Sequence, residues 1–243
     1  VAKVTPKKKS NTGFIAVVVV VLAAGGAGLW ATMQNKPAPI ELPSGAPAMQ
    51  AEGYLRGNPN APVSIIEFAD FECPGCGQFA TLQGPDIKQR LVDAGLANFR
   101  FYDFPLTQIH QNTLFAHLSA ACANDQGKFW EMHDQLFAGQ PDWSTQATGN
   151  PRKLIDGYAA AIGLDMAAYG TCMDSQKHLA QIQANQAEGN TRGVNSTPTI
   201  IVGNKVYPGG LTFDELKKVV DSLAAAAPAV APAVAPAADS AKK

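Results

Sequence analysis

The apolar run Val63-Ser64-Ile65-Ile66-Glu67-Phe68 predicts a buried strand, and Phe71-Glu72-Cys73-Pro74-Gly75-Cys76 follows it at once. Residues 78–82 read as helix. Pro85 lacks an N–H and is expected to kink or interrupt that helix, residues 87–94 to continue it, and Gly95 to cap it. The aromatic-rich segment 99–104 predicts a second strand. From 111 to 188 the pattern is helical. Segments 113–123 and 128–137 are separated by Asp125-Gln126-Gly127 and followed by a polar loop over 141–150. A third helix is expected over 151–162, with Pro151 in its first turn, and Asp165 is expected to cap a short fourth one ending near Met173. The fifth spans 175–188, with Gly189 as its stop. Residues 199–202 and 205–207 flank Gly203-Asn204 and read as a hairpin. Thr212, with Glu215 three residues on, predicts a capped last helix over 213–223.

Outside this region the composition changes character. Lys3, Lys7, Lys8 and Lys9 precede 14–33, a stretch without charges and rich in Val, Ala and Gly. Its length suits a membrane-spanning helix, with the basic residues 1–13 on the cytoplasmic side and everything after Gln34 outside. A cleaved signal peptide is the alternative, with small residues at Ala23-Ala24-Gly25 and Gly26-Ala27-Gly28. Residues 34–51 hold Pro37, Pro39, Pro43 and Pro47 and read as a semi-extended linker, so the folded domain is expected over 52–223. The Ala/Pro/Val segment 224–243 reads as a disordered or polyproline-like tail. The chain has 243 residues and a net charge of −1. That is long enough for a membrane segment plus one domain with a sizeable core, and it gives no reason to expect nucleic acid as a partner.

The chemistry centres on Cys73 and Cys76, two cysteines two residues apart where a strand hands over to a helix. A cysteine at a helix N-terminus faces unpaired backbone N–H groups and the positive end of the dipole, which favours the reactive thiolate. The second cysteine, nearly one turn on, can close a small disulfide with the first. Half of a zinc site is the competing reading, but it needs a second ligand pair. Cys122 and Cys172 lie far from the motif, and none of His110, His117, His133 and His178 pairs with a cysteine at finger spacing. No resident metal or cofactor is therefore expected. Phe129, Trp130 and Phe137 fall at helical spacing and read as core of the helical region, and His117, His133 and His178 as surface or interhelical residues.

Strand, Cys-x-x-Cys helix, strand, helical insertion, hairpin and helix form an α/β order. The residues from Ala61-Pro62-Val63 to Cys76, then Phe104-Pro105-Leu106, His110, Gln126-Gly127-Lys128-Phe129-Trp130 and Gly193 to Thr199 resemble the DsbA-like thiol–disulfide oxidoreductases. The resemblance covers about 53–223. It implies a thioredoxin-like fold with an all-helical insertion over about 111–189, in a membrane-anchored member. It makes Cys73 the exposed nucleophile and Cys76 the resolving cysteine. Thr197-Pro198 becomes the cis-proline loop that presents backbone to the substrate. Glu67, six residues before Cys73, becomes a buried acid serving Cys76, against the alternative of a strand residue with its head in solvent. Some members carry a second, non-catalytic cysteine pair in the insertion. The resemblance thus implies a structural disulfide between Cys122 and Cys172, with two buried free thiols as the alternative. His110 matches a family-typical histidine, for which capping or packing is the expected role. One departure is that Pro74-Gly75 lacks the histidine that strong oxidants place between the cysteines, and Thr197 replaces the valine of some of them, which implies a less oxidising dithiol.

The expected function is disulfide formation or exchange in exported polypeptides by a monomeric domain on the extracytoplasmic side of the membrane. By resemblance, a quinone-linked membrane oxidoreductase recycles it. A disulfide reductant or metalloprotein maturation factor is one alternative. A Cu(I)- or peptide-binding chaperone module is another.

Overall fold

The structure is a computed structural model that describes residues 40–41 and 53–226. The expected membrane segment 14–33, most of the linker, and residues 227–243 lie outside them. Among the described residues no helix is long and apolar enough to cross a membrane.

Six strands form one sheet in the order β1-β6-β5-β3-β4-β2. They are β1 (Ile40–Glu41), β2 (Tyr54–Arg56), β3 (Val63–Ala69), β4 (Ala97–Asp103), β5 (Thr199–Val202) and β6 (Lys205–Pro208). β3 pairs parallel with β4 and antiparallel with β5, so it is the central strand. Side chains alternate across a strand. Ile65, Glu67 and Ala69 therefore point to one face and Ile66 and Phe68 to the other. The larger hydrophobic core, with Ile65, Ala69, Phe71, Phe101 and Ile200, covers the first face. A smaller cluster of Phe68, Tyr102, Phe104, Val194, Ile201 and Val206 covers the second. Glu67 thus points into the main core.

Two strands depart from expectation. β2, unforeseen in sequence, pairs with β4, and β1 falls inside the expected linker, where Ile40 and Glu41 pair with Val206 and Lys205. An unpaired edge of β6 offers backbone groups to any extended segment nearby.

α1 (Pro74–Gln78) starts at Cys73. The winding then continues through a π-helical stretch at Phe79–Gln83, α2 (Gly84–Ile87) and a second π-helical stretch at Lys88–Val92. The winding is not broken at Pro85, but regular α-helix is interrupted by π-helical turns on both sides of it. Pro85 sits in the first turn of α2, where its missing N–H is tolerated, and the wider turns absorb it: Gly84 donates to the Phe79 carbonyl and Asp93 to that of Lys88. Gly95, at φ 71°, closes the helix as expected, with Leu96 N–H on the Leu91 carbonyl at 2.9 Å.

Between β4 and β5 come α3 (Thr113–Asn124), α4 (Phe129–Ala138), α5 (Gln140–Trp143), α6 (Arg152–Ala161), α7 (Met166–Asp174) and α8 (Leu179–Thr191). Asp165 caps α7 by accepting from Ala167 and Ala168 N–H at 2.9 and 3.1 Å. The expected loop after α4 contains the helical turn α5, anchored by fully buried Trp143. Gly189 does not end α8. A Cβ there would lie 2.7 Å from the Phe104 ring, so glycine serves close packing, and the chain turns instead at Gly193, at φ 75°. α9 (Phe213–Ala226) carries the expected reciprocal cap between Thr212 and Glu215 and extends three residues into the expected tail.

Candidate active site

Cys73 lies at the N-cap of α1 in extended conformation and Pro74 opens the helix. The sulfur therefore faces the first N–H groups of the helix. Both Cys73 and Cys76 are free thiols, Cys73 at 8% exposure and Cys76 fully buried. The Cys76 thiol and the backbone N–H groups of Cys76 and Gly75 act on Cys73, as does Thr197. These hydrogen bonds overcome burial and bring the Cys73 pKa down to about 6. Burial, and then the neighbouring Cys73, push Cys76 well above the ordinary thiol range. Cys73 is thus buried, not exposed as the resemblance implied, and the two sulfurs are split into a favoured thiolate and a protonated thiol.

The Thr197-Pro198 peptide is cis and lies against this pair. Cys73 Sγ is 3.3 Å from the Thr197 carbonyl oxygen. A Cβ added at Gly75 would sit 3.2 Å from Pro198 Cδ and 3.7 Å from Cys73 Sγ. A side chain at 75 would meet the proline closely, so the loop would have to give slightly to admit one.

Glu67 is 1% exposed, its Oε1 has no hydrogen-bond partner, and burial together with the charge at Cys73 raises its pKa to about 8. Its charge in turn acts on Cys76. Cys73, Cys76, Glu67, Thr197 and Pro198 are therefore brought together. Cys122 and Cys172 stand apart, joined to each other on α3 and α7 with S–S 1.99 Å.

A second set of residues, invisible in the sequence, holds the loop before Cys73. Buried Asp70 accepts from the N–H groups of Glu72 and Leu106, both at 2.7 Å, from the Thr113 hydroxyl and from His110 Nδ1 at 2.8 Å. Burial opposes its ionisation, yet these donors hold its carboxyl below the usual range. The same bond to Asp70 raises the His110 pKa. The role of His110 is thus to pair with a buried carboxylate, not to cap a helix. Buried Glu72 accepts from Asn112 and Thr145 N–H. Gln140 Nε2 donates to the carbonyls of Phe71, at 2.7 Å, and Cys73, at 3.0 Å. A Cβ at Gly77 would lie 2.8 Å from Gln140 Oε1, so this clamp requires glycine there. His117 Nδ1 pairs with Asp103 at 2.6 Å, and His117 and His133 are both buried between elements.

The thioredoxin family model matches residues 50–222. The chain belongs to the thioredoxin family. The helices inserted between β4 and β5 give it the DsbA-like form of that fold. It is similar to the Na(+)/H(+) antiporter NhaA 3 of Salinispora tropica, 32% identical over 174 residues, which cover 72% of this chain and 25% of the antiporter. The chain thus spans about a quarter of the length of that relative. It is also 26% identical to Disulfide bond formation protein D of Bacillus subtilis over 73% of this chain and 79% of that protein. Among solved structures, oxidised BdbD of Bacillus subtilis superposes with a TM-score of 0.64 at 24% identity, covering 71% of this chain and 93% of that one. A thioredoxin-like oxidoreductase of Silicibacter pomeroyi gives 0.58 at 26% identity, with 70% and 91% covered. In this DsbA-like domain the dithiol and the cis-proline come from the thioredoxin part. The groups that fix the loop ahead of Cys73 (Asn112, Thr113, Gln140, Thr145) come from the insertion and its approach.

Proposed function

We propose that the domain is an extracytoplasmic thiol–disulfide oxidoreductase that forms or exchanges disulfides in exported polypeptides through Cys73 and Cys76. The observation that carries this reading is the split between the two sulfurs, one favoured as thiolate and one kept protonated beside a buried acid. Starting from the Cys73–Cys76 disulfide, a substrate thiolate attacks Cys73 Sγ, the bond to Cys76 breaks, and Cys76 leaves with the electron pair. Glu67, in its neutral form, supplies the proton that Cys76 takes up. A second substrate thiolate then attacks the substrate sulfur of the mixed disulfide and Cys73 departs as a stabilised thiolate. The balance is one protein disulfide reduced and one substrate disulfide formed. The Thr197 carbonyl, beside Cys73, positions the substrate chain during both steps.

An oxidising compartment is supported by the Cys122–Cys172 bridge, since such bonds persist outside the reducing cytosol. The name of the Bacillus relative, Disulfide bond formation protein D, agrees with disulfide formation as the reaction. A membrane quinone-linked oxidoreductase is the corresponding recycling partner. The test mixes the oxidised domain with a reduced, unfolded, disulfide-containing protein and follows disulfide formation, together with the reduction potential. Oxidation by wild type and none by Cys73→Ser is expected. A potential near the thioredoxin value of about −270 mV with no substrate oxidation would instead establish a reductant. Alkylation of the reduced domain gives a second readout: the Cys73 rate should be half-maximal near pH 6, with Cys76 unreactive.

A further inference from the structure

A cavity of about 400 Å³ lies between the wide-turn helix that follows Cys73 and α4. Its volume is that of a small-molecule site. Phe79, Ile87, Val92, Phe99 and Phe137 give it apolar walls. Two buried polar side chains interrupt them, Glu67 and His133. Glu67 Oε1 and His133 Nε2 are both buried, and neither has a hydrogen-bond partner. Both residues line this one space, and leaving such atoms unmet is costly, which points to a polar occupant.

The roles of these atoms are fixed by their neighbours. His133 Nδ1 is 2.7 Å from Asp134 Oδ1. Burial works against the Asp134 charge, but the bond from His133 keeps its carboxyl below the usual range, so it only accepts. Nδ1 therefore carries the ring proton. Burial also holds the ring neutral, which leaves Nε2 a bare acceptor. Glu67 keeps its proton through neutral pH and offers an O–H. The mouth carries no unpaired charge: Arg56 meets Asp134 at 3.3 Å and stacks 4.4 Å over Trp130, and Lys88 meets Asp93 at 2.7 Å. An ionic ligand finds no partner there. A hydroxyl on an apolar ring finds two.

We propose that this cavity binds a small, neutral, ring-bearing alcohol or phenol, whose hydroxyl donates to His133 Nε2 and accepts from Glu67 while the ring lies against the phenylalanines. This goes beyond the redox reading and requires no turnover. The test titrates the reduced full chain at pH 7 with p-cresol and with p-xylene, which has nearly the same shape but no hydroxyl. The readouts are affinity and the 15N signal of His133 Nε2. A buried hydrogen-bonded hydroxyl separates the two by about tenfold. One p-cresol per chain should bind at least that much more tightly than p-xylene, and only p-cresol should move the Nε2 signal. Gly84 lines the cavity, and a Cβ there meets nothing within 4 Å, so the backbone has room for a side chain and Gly84→Phe adds bulk at the cavity wall. That variant should weaken p-cresol at least tenfold and keep its thiol-exchange activity. No saturable binding, equal affinity for the two probes, an unmoved Nε2 signal, or unchanged p-cresol binding in Gly84→Phe would each overturn the proposal.

Discussion

Glu67 and Asp70 lie three residues apart and both are buried, yet the fold treats them as opposites. Asp70 has four donors around its two oxygens and is held ionised. Glu67 has an oxygen with no donor and is held neutral to about pH 8. Burial alone raises a carboxyl pKa; what separates the two is the supply of hydrogen bonds. Asp70 lies past the end of β3, in a loop where backbone N–H groups are free to point at it. Glu67 lies within β3, where the neighbouring N–H groups are committed to β4 and β5. A carboxylate in the loop therefore builds structure, whereas one in the strand stores a proton.

The contrast is most severely tested at Asp70. Asp70→Ala strands four donors in the interior and should cost about 3–5 kcal/mol by urea denaturation. A cost below ~1 kcal/mol would mean that the network merely decorates the loop. Glu67 should show the reverse sign. The unfolded chain releases this proton near pH 4.5 and the folded chain only near pH 8, so stability falls as pH rises across that window. Glu67→Gln should remove the fall, gaining roughly 3 kcal/mol over wild type at pH 9 and little at pH 4. The contribution of Asp70, by contrast, is present above about pH 3.8 and fades only as pH drops below it. The smallest effect belongs to His110. Its raised pKa means its bond to Asp70 stabilises fully below pH 6.5 and weakens as pH rises through the folded value. His110→Gln should therefore cost about 1–2 kcal/mol at pH 5.5 and less at pH 8.5, read from paired denaturation curves.

The contrast also explains what the sequence could disclose. Cys73 and Cys76 were legible because their chemistry is local: two sulfurs, a strand before them, a helix after. Glu67 was legible as a single acid in an apolar run. The hairpin, the Thr212–Glu215 cap and the Asp165 cap were equally local. Asp70 and Glu72 look like ordinary loop acids in sequence, because all their partners but the Glu72 N–H on Asp70 lie 36 to 73 positions away. Nothing in a linear pattern pairs Glu72 with Thr145, or Gln140 with the Cys73 carbonyl. Pro85 disclosed an irregular helix but not its form. The expectation of a break assumed a helix with one fixed pitch, whereas wider turns on either side let the winding continue.

The clamp on the active-site loop bears on how this architecture can be divided. Consider excising the six-helix insertion to keep a minimal redox module. The cut would remove Gln140, Asn112 and Thr145 together, leaving the Glu72 carboxylate and the Phe71 carbonyl without these donors and the Cys73 carbonyl with the Gly77 N–H alone, in a region that solvent barely reaches. The insertion is thus no detachable accessory. Grafting the Cys-x-x-Cys segment onto another scaffold would carry the sulfurs across and leave behind the donors that hold its loop.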